Sequence, residues 1–555
     1  MKHTIAAVTV FSLMLGASAM AAPSDTPPTP APLSAQASNP GSMGWMHGFP
    51  PPVDKTIRYS ANNDFFTFPK LRWTVCHFRE LMPTVAVARG TQAMRALERA
   101  IDPAIDTLSF MPTGSNLAMT WHEAFDANYS DGVMVLHQGK IVYERYAGCL
   151  DRDGLHGAMS VTKSLTGLLA ATLVAEGQLD PEAKVTTVVP ELANSGFGNA
   201  TVREVMDMTT GLHYSEDYSD PDADVWRYGA AASPMPKPEG YTGPRSYFEF
   251  LETVKPEGTH GQAFGYKTIN ADALGWIIAR TTGKSIAQLL SERIWEKLGM
   301  RREGYYTVDS IGTPFAGGGF NATLGDMARL GQLMLDDGLL DGQQIIPAAA
   351  IADIRKGASP EKFAKAGYTG LKGWSYRNMW WIAHNANGAF AARGVHGQVI
   401  YIDPKADMVI VRFASHPQAA NPANDPTSLP AYQAVADYLM AHTGTPTLVG
   451  REWVVEDIAG RGVIDDSHAA LEFLLDGRLA GSASCNRLIG SYTLKGNALS
   501  VESTGTTKMA CAPALMNQER TLLDLLPGIS SYEIDGTGTL VLKTMDRKTI
   551  TARRQ

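Results

Sequence analysis

Cysteine is scarce in this sequence, and neither positive charge nor long apolar runs are in excess. The chain has 555 residues but 4 cysteines, too few for a domain held together mainly by disulfide bonds. Its 48 lysines and arginines are outnumbered by 56 aspartates and glutamates, so no basic field exists to hold nucleic acid. Beyond the N-terminus, no segment is apolar for the roughly 20 residues that a membrane span requires. A disulfide scaffold, a nucleic-acid-binding protein and a polytopic membrane protein are therefore excluded.

Three common catalytic motifs are also missing. The sequence has no G-x-S-x-G elbow of α/β-hydrolases, no H-E-x-x-H zinc motif and no Walker-type phosphate loop. Its 13 histidines are scattered without the spacing of metal ligands, so we expect no metal and no cofactor. Any catalysis would depend on serine chemistry of another kind.

The first 42 residues lack the pattern of a folded domain. A basic start precedes an apolar run over 5–15 and alanines at A-x-A spacing that end at Ala21, which predicts a cleaved signal peptide over 1–21. The apolar run is too short for a transmembrane anchor. Residues 22–42 are rich in Pro, Ala and Ser, which predicts a disordered tether. We therefore expect a periplasmic or secreted protein.

The rest of the chain divides into two domains at a break in composition. Residues 43–442 mix helical and strand patterns, as expected of a large α/β (α+β) domain. The polar segment 443–447 interrupts these patterns. Over 448–555, short alternating runs are separated by glycine turns, which predicts a small β-rich domain.

The motif Ser-x-x-Lys occurs twice in the large domain. Ser359 is followed by Pro360 and predicts a solvated start of a helix. Ser160 opens a segment in which leucines recur at the spacing of one helix face, and Lys163 lies one turn along from it. The leucines are Leu165, Leu168, Leu169 and Leu173.

A serine and a lysine one helical turn apart can act as a nucleophile and its base. A serine hydroxyl is a poor nucleophile until a neighbour takes its proton, and a lysine in an enclosed apolar site loses its own proton more readily. The N-terminus of the helix also favours negative charge that develops at Ser160. An N-cap serine beside a surface lysine is the alternative, and the motif taken alone favours it.

Three segments along the large domain carry a family resemblance. They are 156–167 (HGAMSVTKSLTG), 265–276 (GYKTINADALGW) and 394–404 (GVHGQVIYIDP). They resemble the active-site motifs of class C β-lactamase-like serine hydrolases, in the branch of 6-aminohexanoate-dimer (nylon-oligomer) hydrolase. The resemblance implies a β-lactamase/penicillin-binding-protein-like antiparallel sheet flanked by helices, with a further helical region. It also implies that Ser160 is the nucleophile and that Lys163 and Tyr266 accept and relay its proton.

The third motif departs from the β-lactamase pattern. Such enzymes usually carry Lys-Thr-Gly there, whereas His396 and Gln398 occupy that place in this chain. The resemblance implies an oxyanion hole formed by the backbone N–H groups of Ser160 and Val395, and we expect His396 and Gln398 to contact substrate. The second motif also has Thr268 where class C enzymes have asparagine. Both departures remove groups that would hold a β-lactam.

Tyr218 matches by its spacing a substrate-contacting tyrosine of the nylon-hydrolase branch. An ordinary loop tyrosine is equally consistent with the sequence. The neighbouring Asp217, Asp220 and Asp222 could instead bind a cationic amine of the substrate.

These residues predict an exported serine hydrolase that cleaves amide or ester bonds of small linear substrates through a Ser-Lys-Tyr acyl-enzyme mechanism. One alternative is a β-lactamase or a D-amino-acid peptidase of the penicillin-binding-protein type. Another is a non-catalytic envelope-binding protein, and the joint presence of Ser160, Lys163 and Tyr266 argues against it.

Residues 448–555 resemble the META domain, a small β-rich module of bacterial envelope proteins. The resemblance depends on 481–492 (GSASCNRLIGSY) and 507–511 (TKMAC). It implies an envelope component as a partner and no catalysis of its own. Within this domain we expect a disulfide between Cys485 and Cys511, because disulfides persist in exported proteins. Whether Cys76 and Cys149 pair is left open by their spacing.

Overall fold

The computed structural model describes residues 31–60, 64–218, 220, 222–237, 239–442, 448–449, 452–465, 467–474, 477–495, 497–535 and 539–554. The predicted signal peptide, residues 22–30 of the predicted tether and the segment 443–447 lie outside these residues. Within the described part of the chain, no helix is both long enough and apolar enough to cross a membrane.

The first domain combines short and long helices with antiparallel strands. Its helices are α1 (Pro40–Met43), α2 (Leu71–Thr74), α3 (Phe78–Leu81), α4 (Trp121–Ala127), α5 (Val161–Ala175), α6 (Val185–Val188), α7 (Val202–Met206), α8 (Asp224–Ala232), α9 (Tyr247–Thr253), α10 (Ile269–Thr282), α11 (Ile286–Leu290), α12 (Leu324–Leu335), α13 (Ala348–Lys356), α14 (Pro360–Ala364) and α15 (Asp425–Ala441). Its strands are β1 (Thr84–Val87), β2 (Ser109–Phe110), β3 (Met119–Thr120), β4 (Ser130–His137), β5 (Lys140–Tyr146), β6 (His156–Gly157), β7 (Leu212–His213), β8 (Lys255–Pro256), β9 (Gly304–Thr307), β10 (Phe320–Ala322), β11 (Leu339–Leu340), β12 (Gln343–Gln344), β13 (Ser375–Arg377), β14 (Trp380–Ile382), β15 (Phe390–Gly394), β16 (Gln398–Asp403) and β17 (Met408–Ala414).

A seven-stranded antiparallel sheet forms the centre of this domain, in the order β13-β14-β15-β16-β17-β4-β5. Helix α12 covers one face, where Gly331 allows close approach, since a Cβ there would lie 2.5 Å from Val409 Cγ1. Helix α15 covers the other face, where the rings of Tyr401 and Tyr432 lie 5.2 Å apart. The central strands β16 and β17 are buried along their length because helices cover both faces. The predicted antiparallel sheet flanked by helices is confirmed.

A second sheet, of order β1-β9-β10-β6, leads the chain into α5. The predicted helix after Ser160 is confirmed, but it is buried from Val161 to Leu173 and not along one face alone. Gly167 shows how closely its neighbours approach, because a Cβ there would lie 2.0 Å from the carbonyl oxygen of Asn378. The helix therefore forms the interior of the domain.

Residues 34–42 pack onto the first domain. Ser38 is fully buried, and its hydroxyl accepts a hydrogen bond from Arg72 at 3.0 Å. Asn39 caps α1 with its side chain. The prediction of a disordered tether over 22–42 is therefore wrong for 34–42, because composition does not reveal a buried arginine from a distant segment.

The second domain is a closed β-sheet with one helix. Its elements are β18 (Glu452–Ile458), β19 (Arg461–Gly462), β20 (His468–Phe473), β21 (Arg478–Ser484), β22 (Arg487–Lys495), β23 (Ala498–Thr506), α16 (Pro513–Leu525), β24 (Ile529–Ile534), β25 (Thr539–Thr544) and β26 (Thr549–Arg554). Neighbouring strands pair from β18 through β26, and β18 also pairs with β26, which closes a barrel. Its apolar core includes Trp453 and Phe473. The predicted β-rich domain is confirmed.

Two disulfide bonds join the four cysteines. Cys485 is bonded to Cys511 within the barrel domain. Cys76 is bonded to Cys149, 73 positions away in the first domain. That second pair connects the segment after α2 to the loop after β5.

Candidate active site

Ser160 lies at the start of α5, directly after a sharp turn of the backbone. Met159 has a φ of 47°, a left-handed conformation that is uncommon for a side chain of this size. Ser160 itself is already helical and makes no side-chain capping bond. The Ser160 hydroxyl therefore does not cap the helix and can contact other groups.

Lys163 lies one turn further along α5, with its amine directed at Ser160. The Lys163 Nζ donates to Ser160 Oγ at 2.8 Å and to the carbonyl oxygen of Gly317 at 2.6 Å. The side chain is 1% exposed. Burial lowers the pKa of Lys163 to about 8, although the carboxylates of Glu216 and Asp272 act to raise it. The structure thus holds this amine close to the balance between its charged and neutral forms near neutral pH.

Tyr266 approaches the same pair from the segment before α10. Its ring centroid lies 5.1 Å from Lys163 Nζ, and the ring packs at 5.5 Å from that of Trp381. Burial and the Glu216 carboxylate raise the pKa of Tyr266 well above its usual value, and its hydrogen bond with Ser160 only partly offsets this. The phenol therefore keeps its proton at neutral pH.

The end of β15 runs alongside the backbone of Ser160. A Cβ on Gly394 would lie 2.9 Å from the Ser160 nitrogen, so no larger residue fits there without displacing the helix start. Val395 follows and contributes to the cleft in front of Ser160. The structure thus brings together the two backbone segments that the resemblance assigned to an oxyanion hole.

His396 and Gln398 lie behind this wall and do not line the cleft. His396 has a φ of 62°, which turns its ring inward, where Nδ1 contacts the carbonyl oxygen of His416 at 2.7 Å. The Gln398 amide donates to the carbonyl oxygens of Val395 and Ala414 at 3.1 and 2.7 Å. The structure therefore does not bring either predicted substrate-contacting side chain to the cleft. The two side chains instead support the turn that carries Val395.

The groups around Ser160 open into a cleft of about 480 Å³. Its lining combines aromatic, aliphatic and charged residues. The residues that line it are Thr113, Ser160, Glu216, Tyr218, Tyr266, Gly367, Tyr368, Thr369, Gly370, Leu371, Trp381, Arg393, Gly394, Val395, Ala420, Asn421, Pro422, Asp425, Pro426 and Leu429.

Family comparison agrees with this arrangement. The Beta-lactamase family profile matches residues 123–433. The chain belongs to the β-lactamase family. The META domain profile matches residues 446–555, so the barrel of this β-lactamase-family protein is a META domain.

Relatives of this β-lactamase-family chain include named hydrolases. The 6-aminohexanoate-dimer hydrolase of Paenarthrobacter ureafaciens is 34% identical over 350 residues, which cover 63% of this chain and 86% of that protein. Esterase EstB of Burkholderia gladioli is 25% identical over 232 residues, which cover 38% of this chain and 56% of that protein. A Bacillus anthracis structure described as a 6-aminohexanoate-dimer hydrolase has a TM-score of 0.62 at 34% identity and covers 69% of this chain and 98% of that chain. The chain is thus a serine hydrolase.

Tyr218 does line the cleft, together with a carboxylate to which sequence reasoning gave no role. Its hydroxyl donates to Glu216 at 2.8 Å. Glu216 also accepts from the backbone and the hydroxyl of Thr268, each at 2.6 Å. Asp217, Asp220 and Asp222 do not line the cleft. Because Thr268 is 52 positions from Glu216, no local pattern marks this carboxylate as part of the site.

An ion pair that the sequence did not indicate lines the cleft of this β-lactamase-family site. Arg393 on β15 is buried and pairs with Asp425 at the start of α15. Its guanidinium also lies over the rings of Trp381 and Trp374, at 5.2 and 5.7 Å from their centroids. Both charged residues line the cleft, as does the ring of Trp381.

Among the described residues, one group of side chains is close enough together to hold a metal ion. The group close enough to share an ion consists of Cys76, Cys149 and His156. Both cysteines are bonded to each other, and a disulfide offers no thiolate ligand. This group therefore does not fit a metal site.

Proposed function

We propose that this chain is an exported hydrolase that cleaves amide or ester bonds of small linear substrates through an acyl-enzyme on Ser160. The contact that carries the proposal is the 2.8 Å hydrogen bond from Lys163 Nζ to Ser160 Oγ in an enclosed site. An amine with a pKa lowered by burial can take the serine proton as the hydroxyl attacks.

Acylation would proceed by attack of Ser160 Oγ on the substrate carbonyl carbon. The Ser160 proton passes to Lys163, and the carbonyl oxygen becomes an oxyanion that backbone N–H groups at Ser160 and Val395 stabilise. As the bond to the leaving group breaks, Tyr266 donates its proton to the departing amine or alkoxide. Lys163 then returns a proton to Tyr266. The raised pKa of the phenol suits this donation, because the group is protonated when the leaving group departs.

Deacylation would use the same groups in reverse. A water molecule occupies the place of the leaving group, and Tyr266 with Lys163 removes its proton as its oxygen attacks the acyl carbon. Ser160 leaves with a proton supplied by Lys163, and the carboxylic acid departs. Tyr368 and Trp381 line the cleft, and such aromatic surface favours substrates with an apolar chain that can lie along the rings.

Export is supported by two features of different kinds. The N-terminal sequence has the pattern of a signal peptide. Two disulfide bonds join all four cysteines, as is usual outside the reducing cytoplasm. N-terminal sequencing of the exported protein should begin after Ala21 or Ala22, whereas an intact Met1 on the mature protein would contradict export through a cleaved signal.

Covalent labelling with a fluorophosphonate tests the nucleophile. The wild-type protein should gain one phosphonyl group, and peptide mass spectrometry should place it on Ser160. Ser160→Ala should remove both the label and the turnover of a nitrophenyl ester. Ser359→Ala is the matched control, because it alters the other Ser-x-x-Lys motif and should keep full labelling.

Three outcomes would count against the proposal. Unchanged labelling of a folded Ser160→Ala variant would show that another residue is the nucleophile. Neither labelling nor turnover by the wild-type protein would favour the non-catalytic binding protein. Faster hydrolysis of a chromogenic cephalosporin than of linear amides and esters would favour the β-lactamase alternative.

A further inference from the structure

A buried acid that does not line the cleft, Asp272, lies close to Lys163. Asp272 is on the first turn of α10 and is 1% exposed. It does not line the substrate cleft. Its Oδ1 accepts the backbone N–H of Ala316 at 2.9 Å, and its other oxygen faces Gly317, since a Cβ on that glycine would lie 3.0 Å from Oδ2.

This contact connects Asp272 to the amine of Lys163 through two consecutive residues, Ala316 and Gly317. The carbonyl oxygen of Gly317 accepts from Lys163 Nζ at 2.6 Å, and the neighbouring Ala316 N–H is held by Asp272. The 315–319 segment is tightly packed, because a Cβ on Gly317 would also lie 2.4 Å from Thr268 Cγ2. A shift of the carboxyl would therefore move the carbonyl group that orients the amine.

Two charged groups act on the amine of Lys163. The carboxylates of Glu216 and Asp272 act on it, and the hydroxyl of Ser160 and the ring of Tyr266 contact it. Burial raises the pKa of Asp272 to about 7, against the opposing effect of Lys163 and of the hydrogen bonds that the carboxyl accepts.

Three tyrosines interact electrostatically with Asp272. They are Tyr228 from α8, Tyr247 from α9 and Tyr214 from the connection after β7. Burial and the Asp272 carboxylate raise the pKa of each well above its usual value. These phenols stay neutral, so the ionisable pair behind Ser160 consists of Asp272 and Lys163.

We propose that Asp272 is a positioning residue for Lys163, which fixes the amine on Ser160 through the Ala316–Gly317 segment and sets the pH at which the amine becomes a base. The inference depends on the proposed role of Lys163 as the base. Asp272 touches neither the cleft nor Ser160, so it acts only through the lysine. Its carboxylate offsets part of the desolvation of the amine, and loss of that charge lets Lys163 lose its proton at lower pH.

The test is the pH profile of single-turnover acylation in Asp272→Asn. Asparagine keeps an oxygen for the Ala316 N–H and removes the charge. The acidic limb should move to lower pH by about one unit, with kcat reduced and KM unchanged because the residue lies outside the cleft. Asp309→Asn is the matched control, since Asp309 is a buried acid that accepts three backbone N–H groups from Tyr247, Ile311 and Thr313. The acidic limb of the pH profile of Asp309→Asn should remain at the wild-type position.

An infrared titration keeps the inference testable if Asp272→Asn fails to fold. In the wild-type protein, the carboxyl stretches of buried acids should titrate. Lys163→Met should move the titration of one of them, that of Asp272, to higher pH, because a lost cation no longer stabilises the carboxylate. An acidic limb unchanged in folded Asp272→Asn, or a titration unaffected by Lys163→Met, would overturn the inference. If Ser160 is not labelled by the fluorophosphonate, the proposed function fails, whereas the infrared titration still reports whether the pair is coupled.

Discussion

The two Ser-x-x-Lys segments of this chain share a motif but differ in backbone conformation and in the burial of the lysine. At Ser160 the backbone is helical and the hydroxyl does not cap its helix. At Ser359 the backbone is extended, and the hydroxyl caps α14 by accepting from the Lys362 N–H at 3.1 Å. Lys163 is buried, while Lys362 is exposed. The predicted solvated helix start at Ser359 is confirmed.

The difference follows from the residues that flank each serine. Met159 takes a left-handed conformation that places Ser160 inside the first turn, so its hydroxyl points along the helix toward Lys163. Pro360 occupies the first helical position after Ser359, which leaves the serine as an ordinary cap. The same motif therefore places a free serine hydroxyl against a buried lysine only where the backbone releases the serine from capping and the fold buries the lysine.

Replacement of the two lysines should give the largest contrast. Lys163→Met should lower kcat/KM for a nitrophenyl ester by about 10⁴-fold or more, because it removes the base while the apolar side chain fills the space. Lys362→Met should leave kcat/KM unchanged, since Lys362 is exposed and bonds to Ser359 through its backbone. Steady-state kinetics on both variants measures the contrast, and similar losses in the two would mean that Lys163 has no special role.

Tyr266 completes the buried motif and has no counterpart at Ser359. Tyr266→Phe should slow amide hydrolysis by about 10²–10⁴-fold, the usual contribution of a general acid. A nitrophenyl ester should lose less, because its leaving group departs as a stable anion. Single-turnover acylation rates on both substrates measure the difference.

Tyr376→Phe is the matched control for Tyr266. Its ring contacts that of Tyr266 at 6.2 Å, but the residue does not line the cleft, so acylation rates should stay near those of the wild-type protein. Equal losses for amide and ester in Tyr266→Phe would restrict the phenol to activation of Ser160. No loss on either would make it a packing residue.

The burial of Lys163 should also be visible as a pH dependence. The neutral amine is the form that accepts the serine proton, and burial lowers its pKa to about 8. Activity should therefore be full above that pH and should fall about tenfold per pH unit below it, as the amine becomes protonated. The profile of kcat/KM against pH measures this limb, and Lys362→Met should not move it. An activity that rises toward acidic pH would contradict a neutral lysine base.

Sequence reasoning succeeded where the chemistry is local and failed where it depends on distant contacts. Ser160, Lys163 and Tyr266 could be proposed from motifs of a few residues, and the structure brings them together. His396 and Gln398 lie in the same motif as Val395, but the positive φ at His396 turns its ring inward, and the Gln398 amide bonds to two backbone carbonyl oxygens. The sequence pattern specifies neither arrangement. Glu216, Arg393 and Asp272 were missed because Thr268, Asp425 and Ala316, which they contact, are distant in sequence.

The smallest effect is expected from removal of the META domain, which neither motif touches. Its apolar core shares no residue with the core of the first domain. Between the described residues of the two domains, no hydrogen bond or ion pair is formed. The two domains come close at Tyr532, because burial and then the Asp102 carboxylate of the first domain raise the pKa of this phenol.

A chain that ends at Thr447 should therefore fold and be labelled at Ser160 at the wild-type rate, because each domain has a core of its own. Thermal unfolding followed by circular dichroism, together with the fluorophosphonate labelling rate, measures this outcome. Tyr532→Ala in the full-length chain is a less disruptive control, because it removes the side chain near Asp102 while both domains stay present. It should also leave the labelling rate unchanged. A shortened chain that cannot fold or be labelled, beside a full-length Tyr532→Ala variant that can, would show that the META domain is part of the catalytic unit and that the boundary at 443–447 is wrong.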